Sequence, residues 1–152
     1  MTRIAALLAA LALAGTGTGA CSSPPPPSSP SDAKAKQFAP EAGKANLYLV
    51  REKVAGSTTK LELFLDDKGL GALAPGMYFM VGVAPGKHTL RAESPGAATE
   101  SGPVDAEAGK NHFIAVSTMC CVWKTEVVVD ELSEQDGKRE VLDAERAEPL
   151  AK

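Results

Sequence analysis

The stretch that decides the fold is residues 76–93, which read GMYFMVGVAPGKHTLRAE. Through Met77–Val83 the side chains alternate with a period of two, which predicts a β-strand. Pro85 and Gly86 then predict a turn, because proline presets a negative φ and glycine accepts a positive one. His88–Glu93 is predicted to return as the hairpin partner of Met77–Val83.

The same alternation, interrupted by Gly, Pro and Asp, continues on both sides of this stretch. It predicts further short strands around Leu47 and Leu49, Leu61–Leu65, Leu70–Leu73, Glu100–Glu107, His112–Thr118 and Val122–Leu132. Because Pro103 cannot donate to a ladder, Glu100–Glu107 is expected at a sheet edge. About seven or eight strands over residues 44–132 predict an all-β fold, a small antiparallel β-sandwich of immunoglobulin-like or prealbumin-like type.

Two more turns are predicted between these strands. Residues 66–69, Asp-Asp-Lys-Gly, form one of them, with Gly69 expected where a positive φ is needed. Pro75 and Gly76 form the corner that precedes Met77. Together these turns give each strand a defined end.

Residues 1–20 have the order of a secretory signal peptide. Arg3 precedes an uncharged apolar run, Ile4–Gly15, and small residues follow that run up to Ala20. The run is too short to span a bilayer, which takes roughly 20 apolar residues, and no later segment approaches that length. The chain is therefore predicted to be exported and to have no transmembrane helix.

Cys21 follows Thr18, Gly19 and Ala20, and this order resembles the lipobox of bacterial lipoproteins. A lipobox usually carries Leu where this chain has Thr18. The resemblance implies that acyl chains, palmitate among them, are attached to Cys21, which becomes the mature N-terminus. An ordinary secreted protein cut after Ala20 is the alternative.

Residues 21–43 are predicted to form a disordered tether, because their Ser and Pro residues bury little apolar surface. Ser22, directly after the cysteine, resembles the sorting signal of outer-membrane lipoproteins. The expected location is therefore the cell membrane or outer membrane, with the domain lipid-anchored and facing the periplasm or the exterior. At the other end, the charged residues 133–152 are predicted to be a frayed helix or a disordered tail.

Composition narrows the classes of partner. The chain has 152 residues and a formal net charge of -3, so one ordinary domain is expected. Lys and Arg are scattered rather than clustered, which argues against a nucleic-acid partner. The sequence gives no indication of oligomeric state.

A family resemblance rests on the stretch that decides the fold. Gly76, Tyr78, Pro85, Gly86 and His88 belong to a pattern that resembles the central motif of a bacterial family, domain of unknown function 2846. The resemblance also includes Leu47-Tyr48-Leu49-Val50-Arg51, Gly56-Ser57, Asp66, Gly109 and Phe113. It implies a lipoprotein-borne β-sandwich with no assigned reaction.

The adjacent pair Cys120 and Cys121 is the main candidate for chemistry. Export into an oxidising compartment leaves three possibilities: a strained vicinal disulfide, two free thiols on opposite faces of a strand, or intermolecular bonds. A soft-metal site would join these cysteines and Met119 with Met77, Met80 or a histidine. No Cys-x-x-Cys or His-x-x-x-His spacing supports such a site, and methionines on strands are usually core residues.

Other candidate residues have simpler structural interpretations. His88 is either a ligand or pH sensor, or a ring at the rim of the core that bonds a backbone carbonyl. Tyr78 and Trp123 form either an aromatic recognition patch or part of the core. With His88 and His112 as the only histidines, no catalytic constellation is recognisable, so neither an enzyme nor a cofactor is expected.

The expected function is that of a non-catalytic binding or accessory module in the cell envelope. Its partner would be another envelope protein, and its membrane attachment would be the lipid on Cys21. The alternative function is a soft-metal or redox module that uses Cys120 and Cys121.

Overall fold

A computed structural model describes residues 29–97, 100–121 and 124–150. In chain order the elements are α1 (Pro30–Ala35), β1 (Ala45–Val50), β2 (Leu61–Leu65), β3 (Lys68–Leu73), β4 (Met77–Val83), β5 (Gly86–Glu93), β6 (Glu100–Ala106), β7 (Asn111–Cys121), β8 (Lys124–Leu132), α2 (Glu134–Asp143) and β9 (Glu145–Arg146). The signal peptide, Cys21 and Trp123 lie outside the described residues.

The strands form two sheets, which confirms the β-sandwich. One sheet has the order β8-β7-β1-β4-β9 and the other the order β3-β2-β5-β6. Leucines from β1, β2 and β5 are buried between the two sheets together with Phe79 and Ile114. The predicted edge strand is confirmed as β6, which pairs only with β5 in this sheet. The larger sheet is mixed, because β1 runs parallel to β7 and β4 runs parallel to β9.

The predicted hairpin between Met77–Val83 and His88–Glu93 is wrong. β4 pairs with β1 and β9 in one sheet, whereas β5 pairs with β2 and β6 in the other. Pro85 and Gly86, the latter with φ 134°, therefore carry the chain across the sandwich from one sheet to the other. Alternation could not reveal this difference, because a strand with one buried face has the same period in either arrangement.

The turn between β2 and β3 also differs in detail from the prediction. Leu65 pairs directly with Lys68, so the loop has two residues, Asp66 and Asp67, with φ of 50° and 63°. Two successive positive φ values are typical of the type I′ turn, which suits the twist of a hairpin. Gly69 is not among the residues with positive φ; it lies instead against the ring of Phe64.

A helical layer covers the outer face of the five-stranded sheet. Every residue of β1 is buried, because its second face packs under α1 and α2. Tyr48, Tyr78 and Phe113 form this outer core with Val141 of α2. The hydroxyl of Tyr78 donates to Asp32 at 2.6 Å, and that of Tyr48 donates to the carbonyl of Ala35 at 2.7 Å. Tyr78 is thus a core residue and not part of an exposed patch.

The segments on either side of residues 44–132 pack against the β-sandwich in the structure, and the predicted helix of the C-terminal segment is α2. Within the predicted tether, Ser29 caps α1, and Asp32 is fully buried beside Lys36. Within the predicted tail, α2 buries Gly137 and Val141, and β9 pairs with β4. Such short segments contain few apolar residues, so their stability comes from packing against the sheet rather than from their own sequence pattern.

Candidate functional site

A groove lies on one open side of the sandwich, where β4 of one sheet faces β3 of the other. Its volume is about 800 Å³, and we call it the edge groove. Most of its lining is apolar, from the β2–β3 hairpin, β4 and the C-terminal segment. The lining residues are Leu65, Asp66, Lys68, Gly69, Leu70, Met80, Val81, Gly82, Val83, Ala84, His88, Arg146, Pro149 and Leu150.

The C-terminal segment forms one wall of the edge groove. It first follows the edge of β4, where the amide of Ala147 donates to the carbonyl of Tyr78 at 2.8 Å. It then crosses to the other sheet, where the amide of Leu150 donates to the carbonyl of Leu70 at 2.9 Å. The side chain of Leu150 is 66% exposed at this wall. Sequence reasoning missed this element because two-residue pairing leaves no periodic signal.

Beyond Tyr78, no described residue pairs with the outer edge of β4. Alternate residues of a strand direct their N–H and C=O groups to opposite sides. The carbonyl of Met77 accepts from Arg51 at the β1 side, and that of Tyr78 accepts from Ala147 at the β9 side. Met80 and Gly82 therefore direct their backbone groups toward the edge groove. Among the described residues, no hydrogen bond reaches these groups of Met80 or Gly82 on that side.

His88 and Asp66 form an ion pair at the rim of the edge groove. Nδ1 of His88 lies 2.6 Å from Oδ2 of Asp66, and Nε2 lies 2.8 Å from the carbonyl oxygen of Ala84. Since a carboxylate and a carbonyl are both acceptors, this geometry favours the doubly protonated, positively charged form of the imidazole. The hydrogen bond to Asp66 and then that to Ala84 raise the pKa of His88, while the His88 bond lowers the pKa of Asp66.

Both ring nitrogens of His88 are engaged in hydrogen bonds, which argues against a metal ligand, while the pH-sensor interpretation stays a prediction. A protonated ring with both nitrogens donating has no lone pair for a metal ion and cannot accept a proton from a substrate. The expected bond to a backbone carbonyl is present, with an ion pair that sequence reasoning missed. Asp66 also accepts from the amide of Thr89 at 2.9 Å, so the pair joins the β2–β3 turn to β5.

The other motif residues hold the backbone in place. Gly76 has φ 77°, and its amide donates to the backbone carbonyl of Arg51 at 2.9 Å. Arg51 is 3% exposed and donates to the carbonyl oxygens of Leu73, at 3.1 Å, and Thr59. Desolvation lowers the pKa of Arg51. These contacts fix the corner that leads into β4.

A second cleft, of about 340 Å³, lies beside this corner. Glu52, Lys53, Glu140 and Asp143 contribute to its lining together with Arg51. It is smaller and lined by charges of both signs, so the edge groove is the better candidate for recognition.

Two of the proposed soft-metal ligands, Met80 and Met119, lie far apart in the larger sheet. Met80 of β4 pairs with Tyr48 of β1, and Tyr48 pairs with Phe113 of β7. Met80 is therefore level with Phe113, which lies six residues before Met119 on β7. That separation corresponds to about 20 Å along the strand. Met119 is 57% exposed. Within the described ranges, no cluster of three His, Cys, Asp or Glu residues could hold a metal ion.

The state of the cysteine pair lies outside what the structure describes. The backbones of Cys120 and Cys121 belong to β7 and pair with Thr125 and Lys124 of β8. The side chains of both cysteines are not among the described groups. All three possibilities for the two thiols remain predictions.

The fold and the edge groove define a class of protein: a β-sandwich covered by helices on one face and open to an apolar groove at one side. In the described part of the chain, neither helix is long and apolar enough to cross a membrane. The chain belongs to the family described as "Protein of unknown function (DUF2846)", whose model matches residues 41–129. This match confirms the resemblance carried by the motif; α1, α2 and β9 lie outside the matched residues.

A relative from Haemophilus influenzae strain Rd supports the same assignment. It is described as an uncharacterized protein and is 33% identical to this chain over 108 residues. The aligned region is 70% of this chain and 64% of the relative, so the chain spans slightly less than two thirds of that relative's length.

Proposed function

We propose that this protein is a lipid-anchored lipoprotein of the bacterial envelope whose β-sandwich is a non-catalytic binding module. The observation that carries the binding role is the edge groove, an apolar groove of about 800 Å³ beside a free strand edge. Grooves of this size with mostly apolar walls and a few polar groups are typical of binding sites. His88 and Asp66, at the rim of the groove, already hydrogen-bond to each other and to the backbone, which favours binding over catalysis.

The anchoring half of the proposal rests on Cys21 and the segment before it. An apolar run followed by small residues and a cysteine is the order expected for export and acylation. More than one acyl chain on the same residue gives stable attachment, whereas one chain gives only marginal attachment.

The folded domain begins close to the proposed anchor. Ser29 caps α1, so only residues 22–28 separate Cys21 from the first capped helix. Eight extended peptide steps span at most about 28 Å. The domain would thus work near the membrane surface, at a shorter distance than a tether reaching residue 43 would allow.

The anchor is tested by intact mass and detergent partitioning of the protein extracted from a Gram-negative host. We expect a chain that begins at Cys21 and carries added acyl mass, and we expect it in the detergent phase. Cys21→Ser should move the protein to the aqueous phase, whereas the matched control Cys120→Ser should not. A wild-type chain without acyl mass that partitions into buffer would contradict the anchoring.

The binding role is tested in the same host by photo-crosslinking from two exposed apolar positions. Leu150 is 66% exposed at the edge groove, and Val54 is 55% exposed and does not line it. A photoreactive amino acid at position 150 should give a discrete adduct with another envelope protein, and the same group at position 54 should not. Equal adduct patterns, or none from position 150, would remove the binding role.

A further inference from the structure

We propose that the partner docks by strand addition: an extended, acidic peptide segment of another envelope protein pairs with the free edge of β4 over Met80–Val83 and fills the edge groove. This inference rests on the proposed binding function and specifies its site and the chemistry of its partner.

The first support is the orientation of the backbone. The carbonyl of Met77 is bonded from β1 and that of Tyr78 from the opposite side, at β9. By alternation, the backbone N–H and C=O groups of Met80 and Gly82 point the same way as those of Tyr78, away from β1. Two outward residues offer two donors and two acceptors in register. An extended chain alongside them would complete the ladder that β9 begins at Tyr78.

The second support is that this edge lacks the usual protection against strand pairing. Natural edges are blocked by charges, prolines or bulges. The other edge strands follow this rule: β6 contains Pro103, β3 has a register shift and Lys68, and β8 carries several acidic residues. Residues 79–84, Phe-Met-Val-Gly-Val-Ala, contain neither a charge nor a proline.

The third support is that the chain itself already uses this edge. β9 pairs in parallel with Met77 and Tyr78 and then leaves toward Leu70. The remaining free length of β4, Met80–Val83, is about 13 Å. That length accommodates about four residues of an extended peptide, as in recognition by β-augmentation.

Charge selects the kind of peptide. Among the residues lining the edge groove, Lys68 and Arg146 are cationic, and Asp66, which pairs with His88, is the only carboxylate. Arg146 also lies 3.7 Å from Glu148, which leaves Lys68 as the lining cation outside an ion pair in the described part of the chain. Arg146 also has a buried Nε without a hydrogen-bond partner in the described part of the chain. An acidic segment would be attracted to this rim, whereas a second copy of the chain would bring two cationic rims together.

The probe is a blocked heptapeptide, DVTVTVD, which combines strand-forming residues with acidic ends. Its binding is followed by amide hydrogen exchange in the mature chain, residues 21–152 with Cys21→Ser. In the free protein, we expect fast exchange at Met80 and Gly82 and slow exchange at Val81, which faces β1. Saturating peptide should slow exchange at Met80 and Gly82 at least tenfold, and the charge-reversed peptide KVTVTVK should bind at least tenfold more weakly.

Two variants at one position provide the matched control. Gly82 has room for a side chain, since an added Cβ would meet nothing closer than Lys44 at 3.9 Å. Gly82→Pro removes the outward donor and leaves the ladder to β1 intact, so it should weaken peptide binding at least tenfold. Gly82→Ala keeps the donor and should bind within twofold of the wild type.

Three outcomes would overturn the inference. The first is unchanged exchange at Met80 and Gly82 at saturating peptide, and the second is equal binding by the two Gly82 variants. The third is protection of these amides that grows with protein concentration alone, which would assign the edge to a second copy. If position 150 still gives its specific crosslink in cells, the proposed function survives any of these failures.

Discussion

Gly137→Ala gives the sharpest test of how α2 packs on the sheet. In an exposed helix this substitution stabilises, because Ala has a helix propensity about 1 kcal/mol better than that of Gly. Gly137, however, lies in α2 directly over Phe113. A methyl group here would be 2.7 Å from Cδ1 of Phe113 and nearer still to its Cβ and Cγ.

The clash should exceed the gain in propensity. Carbon atoms in contact lie about 3.5–4.0 Å apart, so the helix must move outward by about 1 Å. Such a gap forfeits a quarter to a half of the dispersion energy along the contact, and overpacking costs about 1–3 kcal/mol or more. The movement would also loosen Val141, which is fully buried in the same layer. We expect a net loss of about 1–3 kcal/mol in the free energy of unfolding.

Urea denaturation with circular dichroism measures this loss. The matched control is Gly102→Ala in the edge strand β6, where an added Cβ meets nothing within 4 Å. Because Gly weakens a strand by roughly 0.5–1 kcal/mol relative to Ala, the control should be neutral or stabilising. A stabilising effect of Gly137→Ala would refute the packing of α2 on Phe113 described above.

Two further predictions concern polar groups. The ion pair of His88 with Asp66 raises the pKa of His88, so its stabilisation is complete below the unfolded-state pKa of about 6.5 and is lost as pH rises through the folded-state pKa. Asp66 is 47% exposed, so the loss of unfolding free energy between pH 6 and 9 should stay below about 1 kcal/mol. Urea titrations at several pH values should find a smaller loss in Asp66→Asn than in the wild type. An equal loss in the two proteins would contradict the ion pair. Tyr78→Phe removes a donor to the buried carboxylate of Asp32 and should cost about 1.5–3 kcal/mol, whereas Tyr48→Phe removes a bond to a neutral carbonyl and should cost about 1 kcal/mol. The same denaturation assay would contradict this ranking if Tyr48→Phe were the more costly change.

The sequence predicts the strands well because each one alternates over a core. Eight strands and their order along the chain follow from this period, and Pro103 correctly marks an edge. The same signal cannot say which sheet a strand joins. For that reason the β4–β5 connection is predicted as a hairpin, although it crosses between the sheets.

The helical layer could not be predicted from local pattern. α1 has six residues and depends on a Ser29 cap and on the burial of Asp32, a residue that is usually exposed. The edge groove was missed for a related reason, since it is formed by segments far apart in the chain. The one available signal was the uncharged run from Phe79 to Ala84, which is unusual for a strand next to an open edge.

The contacts between α1 and the C-terminal segment also constrain when the domain can finish folding. Arg146 donates to the carbonyl of Ser31 at 2.6 Å, across 115 positions of sequence, and Lys36 donates to the carbonyl of Ala144 at 2.8 Å. A chain that emerges N-terminus first cannot make these bonds until residues 144–146 have emerged, and closing so long a loop is slow. The helical layer therefore cannot close until residues 144–146 are available, and a late-closing domain would suit the unfolded passage that the proposed export needs.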